Sequence, residues 1–436
     1  EISVIKFLRI FLIFFFVSNC SLNQSEFWTK EKKIEKEKKF TIKKFTKEKK
    51  VLEKELNPNL KITLSAKLIK NSFINNLDNN NGRINYNGNL KSISRYKFSK
   101  IDDFYQFEPE IVFDNNSVIF FNNNGSILKF DESSRLIWKK NYYTKLEKKL
   151  KPILFFANNK DTLIVTDNIA KYYAINIKTG ELLWSKNNSA VFNSQLKIYK
   201  DKFLVIDFEN ILRCFSIKDG KEIWKIKSEK TFINSQKIFS LIVVDNNVYY
   251  NNSIGDITAV NIDSGSLLWQ TPTQSNTVYE ESLFLKTSDL IANNNSIIFS
   301  NNKNEFFSID IKTGTINWKQ KINSSLRSTL VNDTIFAISL EGYLIVIDNQ
   351  SGNIIRITDI FNQMNKKKRS KIKPVGFIVG SKNIYLTTDH GKLMIIDIVS
   401  GRTKSILKID NDKISRPFVL NQNLYIIKEN SIIRLN

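Results

Sequence analysis

Apolar residues in this chain come in short runs of four to seven, several of them alternating with polar ones, and each run is closed by a cluster of Asn, Asp, Ser and Gly. Runs of that length with Val, Ile, Phe and Tyr in them predict strands, and the punctuating residues predict tight turns. Residues 240–270 show the pattern in full. Strands are expected over 240–244, 248–251, 256–262 and 265–270, with turns at Asp245-Asn246-Asn247, at Gly255 and before Gly265. Asn and Gly fill those turns because they tolerate positive φ. Four short strands joined by tight turns make an antiparallel meander.

That meander is written several times. The phrase IKTGELLW occupies 177–184, IKDGKEIW 217–224, IDSGSLLW 262–269 and IKTGTINW 311–318. Self-similarity at a period of about 40 to 50 residues marks a repeat architecture. Aligned by this phrase, the units carry Gly180 with Trp184, Gly220 with Trp224, Gly265 with Trp269 and Gly314 with Trp318. Ser134 with Trp138 opens the series, and Gly352 with Arg356 and Gly401 with Ser405 continue it without the Trp. An incomplete last unit has strands at 416–420, 424–428 and 432–436 and then the chain stops. The stretch 90–100, upstream of the first unit, is expected to supply its missing outer strand. The expected fold is therefore all-β, an eight-bladed β-propeller of four-stranded antiparallel blades, its ring closed by pairing the N- and C-terminal strands. Closure removes sheet edges that an open array would expose. Pro109, Pro152, Pro374 and Pro417 stand just ahead of first strands, where a missing donor is tolerated. Each recurring Trp is read as an interblade wedge rather than a ligand platform, burying roughly 150 to 250 Å² on the outer strand.

Composition changes this picture little. Hydrophobic residues make up 42% of the 436, enough for a continuous core. A formal charge of +23 invites nucleic acid or an anionic membrane, but Lys is abundant together with Asn, Ile and Phe, as AT-biased coding produces, so a solvated basic surface is the simpler reading and no nucleic-acid partner is expected. With only Cys20 and Cys214 there is no disulfide framework and no CxxC metal pair; Cys214 reads as a buried strand residue. The one histidine, His390, sits in a turn. No catalytic residue, metal ligand, cofactor or small-molecule substrate is expected.

The N-terminus is of another kind. Lys6 and Arg9 precede an apolar run at 10–17, then Val17-Ser18-Asn19-Cys20, the order of a secretory signal. Processing before a cysteine resembles the bacterial lipoprotein lipobox, with Asn19 a departure from the usual small residue; it implies a signal peptide over 1–19 and a lipidated Cys20. Ser21, rather than Asp, implies the outer membrane. Residues 20–89 are expected to be a linker, Lys- and Glu-rich over 30–56 and Asn-rich over 75–89, either solvated or lying as a basic helix on the membrane. The propeller is expected over 90–436.

The units resemble the PQQ-like propeller repeat, in which a strand ending Asp-x-x-[Thr/Ser]-Gly precedes a short strand with Trp: Asp310, Thr313, Gly314 and Trp318 match it. No repeat Trp is followed by Asp, unlike WD repeats, and no Gly-Gly pair occurs, unlike kelch repeats. Quinoprotein dehydrogenases of this repeat carry a vicinal disulfide that two distant cysteines cannot form. Size, lipobox, linker and blade count instead resemble the BamB family, lipoprotein subunits of the outer-membrane β-barrel assembly machinery. That resemblance implies a non-enzymatic scaffold, lipid-anchored at the periplasmic face of the outer membrane, that binds the POTRA region of the barrel-forming subunit. It places partner contacts on loops entering the middle blades: Phe232, Ile233, Asn234, Ser235 and Gln236 in one, Ser288 and Asp289 in the next. A degenerate PQQ-dependent oxidoreductase and a periplasmic polymer-binding propeller are the alternatives.

Overall fold

A computed structural model of the chain describes residues 52, 54–64, 68–69, 81–102, 104–228, 237–273 and 285–436. The signal segment, Cys20 and the loop residues Phe232, Ile233, Asn234, Ser235 and Gln236 lie outside the described residues. Among those described, eight four-stranded antiparallel sheets follow one another. Blades 1 to 7 span 112–140, 154–187, 197–227, 241–271, 291–320, 329–359 and 374–408. Blade 8 joins Phe418–Leu420, Asn423–Lys428 and Ser431–Leu435 to the outer strand Ser92–Lys97, with Tyr96 opposite Ile432, so the ring closes as the sequence predicts. First strands of neighbouring blades touch one another and line the central channel. No helix among the described residues is long and apolar enough to cross a membrane.

The repeated phrase builds the hairpin between third and fourth strands. Asn176 Oδ1 accepts from the backbone N–H of Lys178 at 2.9 Å and of Thr179 at 3.0 Å, and Asp310 Oδ1 does the same for Lys312 and Thr313 at 3.0 and 2.8 Å. The glycine N–H then returns to the backbone oxygen of that same Asn or Asp, 2.8 Å at Gly180 and 2.9 Å at Gly314. Such a turn ends in the left-handed region, where Gly265 has φ +70° and a side chain is strained. One extra residue in the fourth strand shifts the register and sets each Trp opposite a small partner: Ala174 for Trp184, Cys214 for Trp224, Ala259 for Trp269 and Ser308 for Trp318. Cys214 is thus a space-maker, fully buried, and burial pushes its thiol up to about 12.

Into that space the indole turns toward the next blade and lies on its glycine. A Cβ on Gly220 would stand 2.6 Å from Trp184, and one on Gly265 2.7 Å from Trp224. Each Nε1–H donates across the junction, Trp184 to Ile217 O at 2.9 Å, Trp224 to Ile262 O at 2.8 Å, Trp269 to Ile311 O at 3.1 Å and Trp318 to Asn349 O at 2.9 Å. At two other junctions a cation takes the corresponding carbonyl. The buried Trp138 leaves Ile177 O to Lys129 Nζ at 3.0 Å, the charge matched by Asp114 at 2.6 Å. Arg356, buried, donates from Nη2 to Ile398 O at 3.2 Å and from Nη1 to Val399 O.

Described segments between 52 and 89, within the stretch 20–89 expected to be a linker, pack on the propeller. Leu56 pairs with Ile357 of blade 6, and Ile84 and Tyr86 are buried beside Tyr385 of blade 7, with Ser381 N donating to Tyr86 O at 3.1 Å. Polar spacing in the sequence conceals these few apolar anchors.

Two outcomes test this description. Trp224→Ala removes a half-buried indole and one hydrogen bond and should lower stability by about 2 to 3 kcal/mol in urea unfolding, while Gly265→Ala, forced against the same ring with its φ unfavourable, should cost about 1 to 3 kcal/mol. Buried Asp167 is the second: burial pushes it up to about 6, partly offset by the Tyr143 hydroxyl at 2.6 Å, the Lys171 and Ile169 amides and the Lys171 charge. A raised carboxylate makes the folded state the better proton acceptor, so its contribution is largest below the unfolded value near 4 and falls as pH rises to about 6. Subtracting the unfolding profile of Asp167→Asn from that of the wild type should show this decline, at most about 2 to 3 kcal/mol; a flat difference contradicts it.

Candidate functional site

Charged residues gather where the chain enters the innermost strands. Glu110 stands before blade 1, Gln195 before blade 3, Lys237 before blade 4, Asp289 before blade 5, Arg327 before blade 6 and Arg416 before blade 8. The sequence scatters them over three hundred positions, and the ring brings their side chains together at one mouth of the channel. Arg327 grips Asp289 Oδ2 through Nε at 3.1 Å and Nη2 at 2.7 Å, and its Nη2 lies 3.7 Å from Glu110 Oε1. The same carboxylate oxygen takes Arg416 Nη2 from the opposite side and Gln195 Nε2 at 3.5 Å. Gln195 Oε1 accepts from Ser240 Oγ at 3.2 Å and Leu241 N at 3.3 Å. Blades 1, 3, 4, 5, 6 and 8 are thereby tied across the channel.

The chain turns these groups inward because each precedes a short first strand whose own residues are buried, such as Ile291–Ala292 after Asp289 and Thr329–Val331 after Arg327. Electrostatics follow from crowding. Burial pushes the Asp289 carboxyl up, but Arg327, Lys237 and Arg416 outweigh it and hold the group well below the usual carboxylate range. Burial and the neighbouring Arg327 lower Arg416 to about 10 against the pull of Glu110 and Asp289, and burial lowers Lys237. A further ion pair, Lys413 with Glu108 at 3.2 Å, borders the mouth, beside a cleft lined by Phe104, Pro109, Val375, Ser415 and Arg416.

Of the residues singled out from sequence, Asp289 belongs to this site. Ser288 is buried: its Oγ accepts from Ser300 N at 3.0 Å, so it holds the loop rather than facing solvent. Lys286, exposed, is the open end of that loop. Lys237 follows the segment 232–236 in sequence, and that segment lies outside the described residues. Glu110, Gln195, Arg327 and Arg416 escape a reading by repeats, since each sits outside the repeated phrase; a charged or amide residue two positions ahead of an inner strand is the signal that marks them. A separate feature lies on the outer strands, where Leu136, Ile137, Leu182, Leu183, Leu267 and Leu268 are about half exposed. Their positions just after the hairpin turn form an apolar band along blades 1, 2 and 4.

Three comparisons place the chain among known proteins. The PQQ_2 family model, described as outer membrane protein assembly factor BamB, matches residues 123–358, from blade 1 through blade 6. An outer membrane protein assembly factor BamB of Shewanella oneidensis is 25% identical over 169 residues, which is 38% of this chain and 39% of that relative. The matched stretch thus spans well under two thirds of the relative's length. Among solved structures, BamB from Moraxella catarrhalis superposes with a TM-score of 0.64 at 13% identity, covering 80% of this chain and 99% of the other. The quinohemoprotein alcohol dehydrogenase of Comamonas testosteroni superposes with a TM-score of 0.61 at 10% identity, covering 82% and 78%. These structural likenesses are likenesses of fold.

Asp289→Asn should cost about 2 to 4 kcal/mol, because it leaves the buried Arg327 guanidinium and Lys237 facing one another without the intervening charge. Urea unfolding at pH 7 measures it. Since the folded carboxyl titrates below its ordinary range, the wild-type advantage is present above about pH 4 and is lost as pH falls below that value; an advantage that persists unchanged on acidification contradicts the ion network.

Proposed function

The chain belongs to the family of outer membrane protein assembly factor BamB, and from that membership we propose that it is a non-enzymatic scaffold of the outer-membrane protein assembly complex. In this reading residues 1–19 are a signal peptide, Cys20 carries the lipid, and the propeller hangs at the periplasmic face of the outer membrane. The channel mouth and the loops beside it receive the POTRA region of the barrel-forming subunit and so aid insertion of β-barrel proteins.

One observation supports this above the others: Arg416, Glu110, Arg327 and Asp289 bridge the mouth with side chains already matched to one another. A network closed on itself stiffens the rim and presents fixed charge to a docking domain, which favours recognition and encounter. Lys286 is an exposed cation three residues ahead of Asp289, and in this reading Phe232 and Ile233, a few residues upstream of Lys237 in sequence, supply the apolar part of the surface. Interfaces draw most of their affinity from a few such residues.

The test is recovery of partners from detergent-solubilised envelopes with the mature chain as bait. A barrel protein bearing POTRA domains should come down with the wild type, and Phe232→Glu, Ile233→Glu combined with Lys286→Glu should lower its recovery about tenfold or more with an unchanged circular-dichroism spectrum. If a folded, membrane-bound chain recovers no such protein, the proposal fails. A quinone absorbance in the purified protein would turn the reading toward an oxidoreductase.

A further inference from the structure

Blade 6 differs from its neighbours at the rim. The outer strands of blades 1 to 5 and 8 show apolar side chains to solvent, whereas that of blade 6, Ile354–Asp359, is met by residues 55–62 of the same chain. Leu56 and Ile357 exchange backbone hydrogen bonds, at 3.1 Å from Leu56 N and 2.9 Å from Ile357 N. Asn57 Nδ2 donates to Ile355 O at 3.1 Å, standing in for the next rung. Glu55 accepts from Asp359 N at 2.9 Å and takes Arg402 of blade 7 on both carboxylate oxygens, at 2.6 and 3.2 Å. Beyond it, Arg356 Nη1 donates to Leu60 O at 2.9 Å and Ile62 N to Val399 O at 3.2 Å.

The hold is specific in register but light. Leu56 and Leu60 keep 41% and 44% of their surface exposed, so within 55–62 the apolar anchorage comes from Ile62, buried among Phe336, Phe361 and Phe377, at the end away from Leu56. A half-exposed ion pair such as Glu55 with Arg402 contributes about 1 kcal/mol or less. Segments with few buried contacts open while the rest of a fold stays intact. When this one lifts, the backbone groups of Ile357 and one face of the buried Arg356 guanidinium lose their partners, and an unpaired sheet edge takes up another strand readily.

We propose that the outer edge of blade 6 is a strand-acceptor site, kept by the chain's own residues 55–62 and open to an extended segment of a protein partner with the same chemistry, a carboxylate for Arg402 followed directly by an apolar residue. Main-chain pairing with Ile357 supplies affinity, and Arg402 sets the register. The site lies on the outer rim, not at the channel mouth, and stands independently of the assembly reading.

The probe is a fluorescein-labelled synthetic peptide copying residues 52–64, LEKELNPNLKITL, titrated against the full chain by anisotropy. Glu55→Ala in the chain loosens the resident segment and should tighten peptide binding about tenfold, since the apparent affinity scales with the fraction of open sites. Arg402→Ala, or Glu55→Lys in the peptide, should abolish that gain. Equal affinity for wild type and Glu55→Ala, or indifference to Arg402, overturns the proposal. Dimerisation of Glu55→Ala that excludes the peptide overturns it too, in favour of exchange between two copies. Hydrogen exchange on the unaltered chain gives a readout free of mutation: saturating peptide should speed exchange at Leu56 while Ile357 stays protected, and unchanged exchange at Leu56 rejects the site.

Discussion

The contact on which the ring depends is an indole laid flat on a glycine. A propeller has no core in the usual sense, only a set of sheets that must each bury both faces against two neighbours, so its stability resides in the junctions. Here every Trp from 184 to 318 does three things at once: it covers apolar surface, fits over a residue without a side chain, and satisfies a carbonyl that the hairpin of the next blade leaves pointing at it. The small residues opposite, Ala174, Cys214, Ala259 and Ser308, belong to the same device, because a larger side chain would fill the space the ring needs. Substitutions in the series show what is indispensable. Lys129 and Arg356 replace an aromatic N–H with a charged one and still meet the corresponding carbonyl. The acceptor is kept and the donor varies, as expected if leaving a buried carbonyl unpaired costs more than changing its partner.

The junctions without tryptophan are also the ones that draw in the chain upstream of the propeller. Between blades 6 and 7 the segment 55–62 bonds to both sides, through Ile357 and through Val399 and Arg402. Against blades 7 and 8, Tyr86 and Ile84 join the cluster of Tyr385, Ile395 and Leu435. Lost wedges are thus offset by added strands and rings, and a stretch that composition alone assigns to a tether becomes part of the wall.

At the channel mouth a different economy holds. Six blades contribute charged or amide side chains whose only shared property is position, one or a few residues before an inner strand. Ion pairs of this kind add little net stability when desolvation is counted, so what they secure is a single arrangement of the rim.

The sequence by itself determined the meander, its repetition into an eight-bladed ring and a closing strand within 90–100, because each follows from local rules: strand periodicity, turn chemistry and the spacing from Gly to Trp. It also marked Asp289 for attention, though not for the ion network it joins. It did not disclose Arg356 and Lys129 as replacements for an indole, the small residues that make room for it, the docking of 55–62, or the meeting of Glu110 with Arg327 and Arg416. Those depend on which residues a closed ring brings face to face. Period and turn type are properties of neighbours in the chain, whereas complementarity across a junction or a channel exists only after some three hundred residues have curved back on themselves.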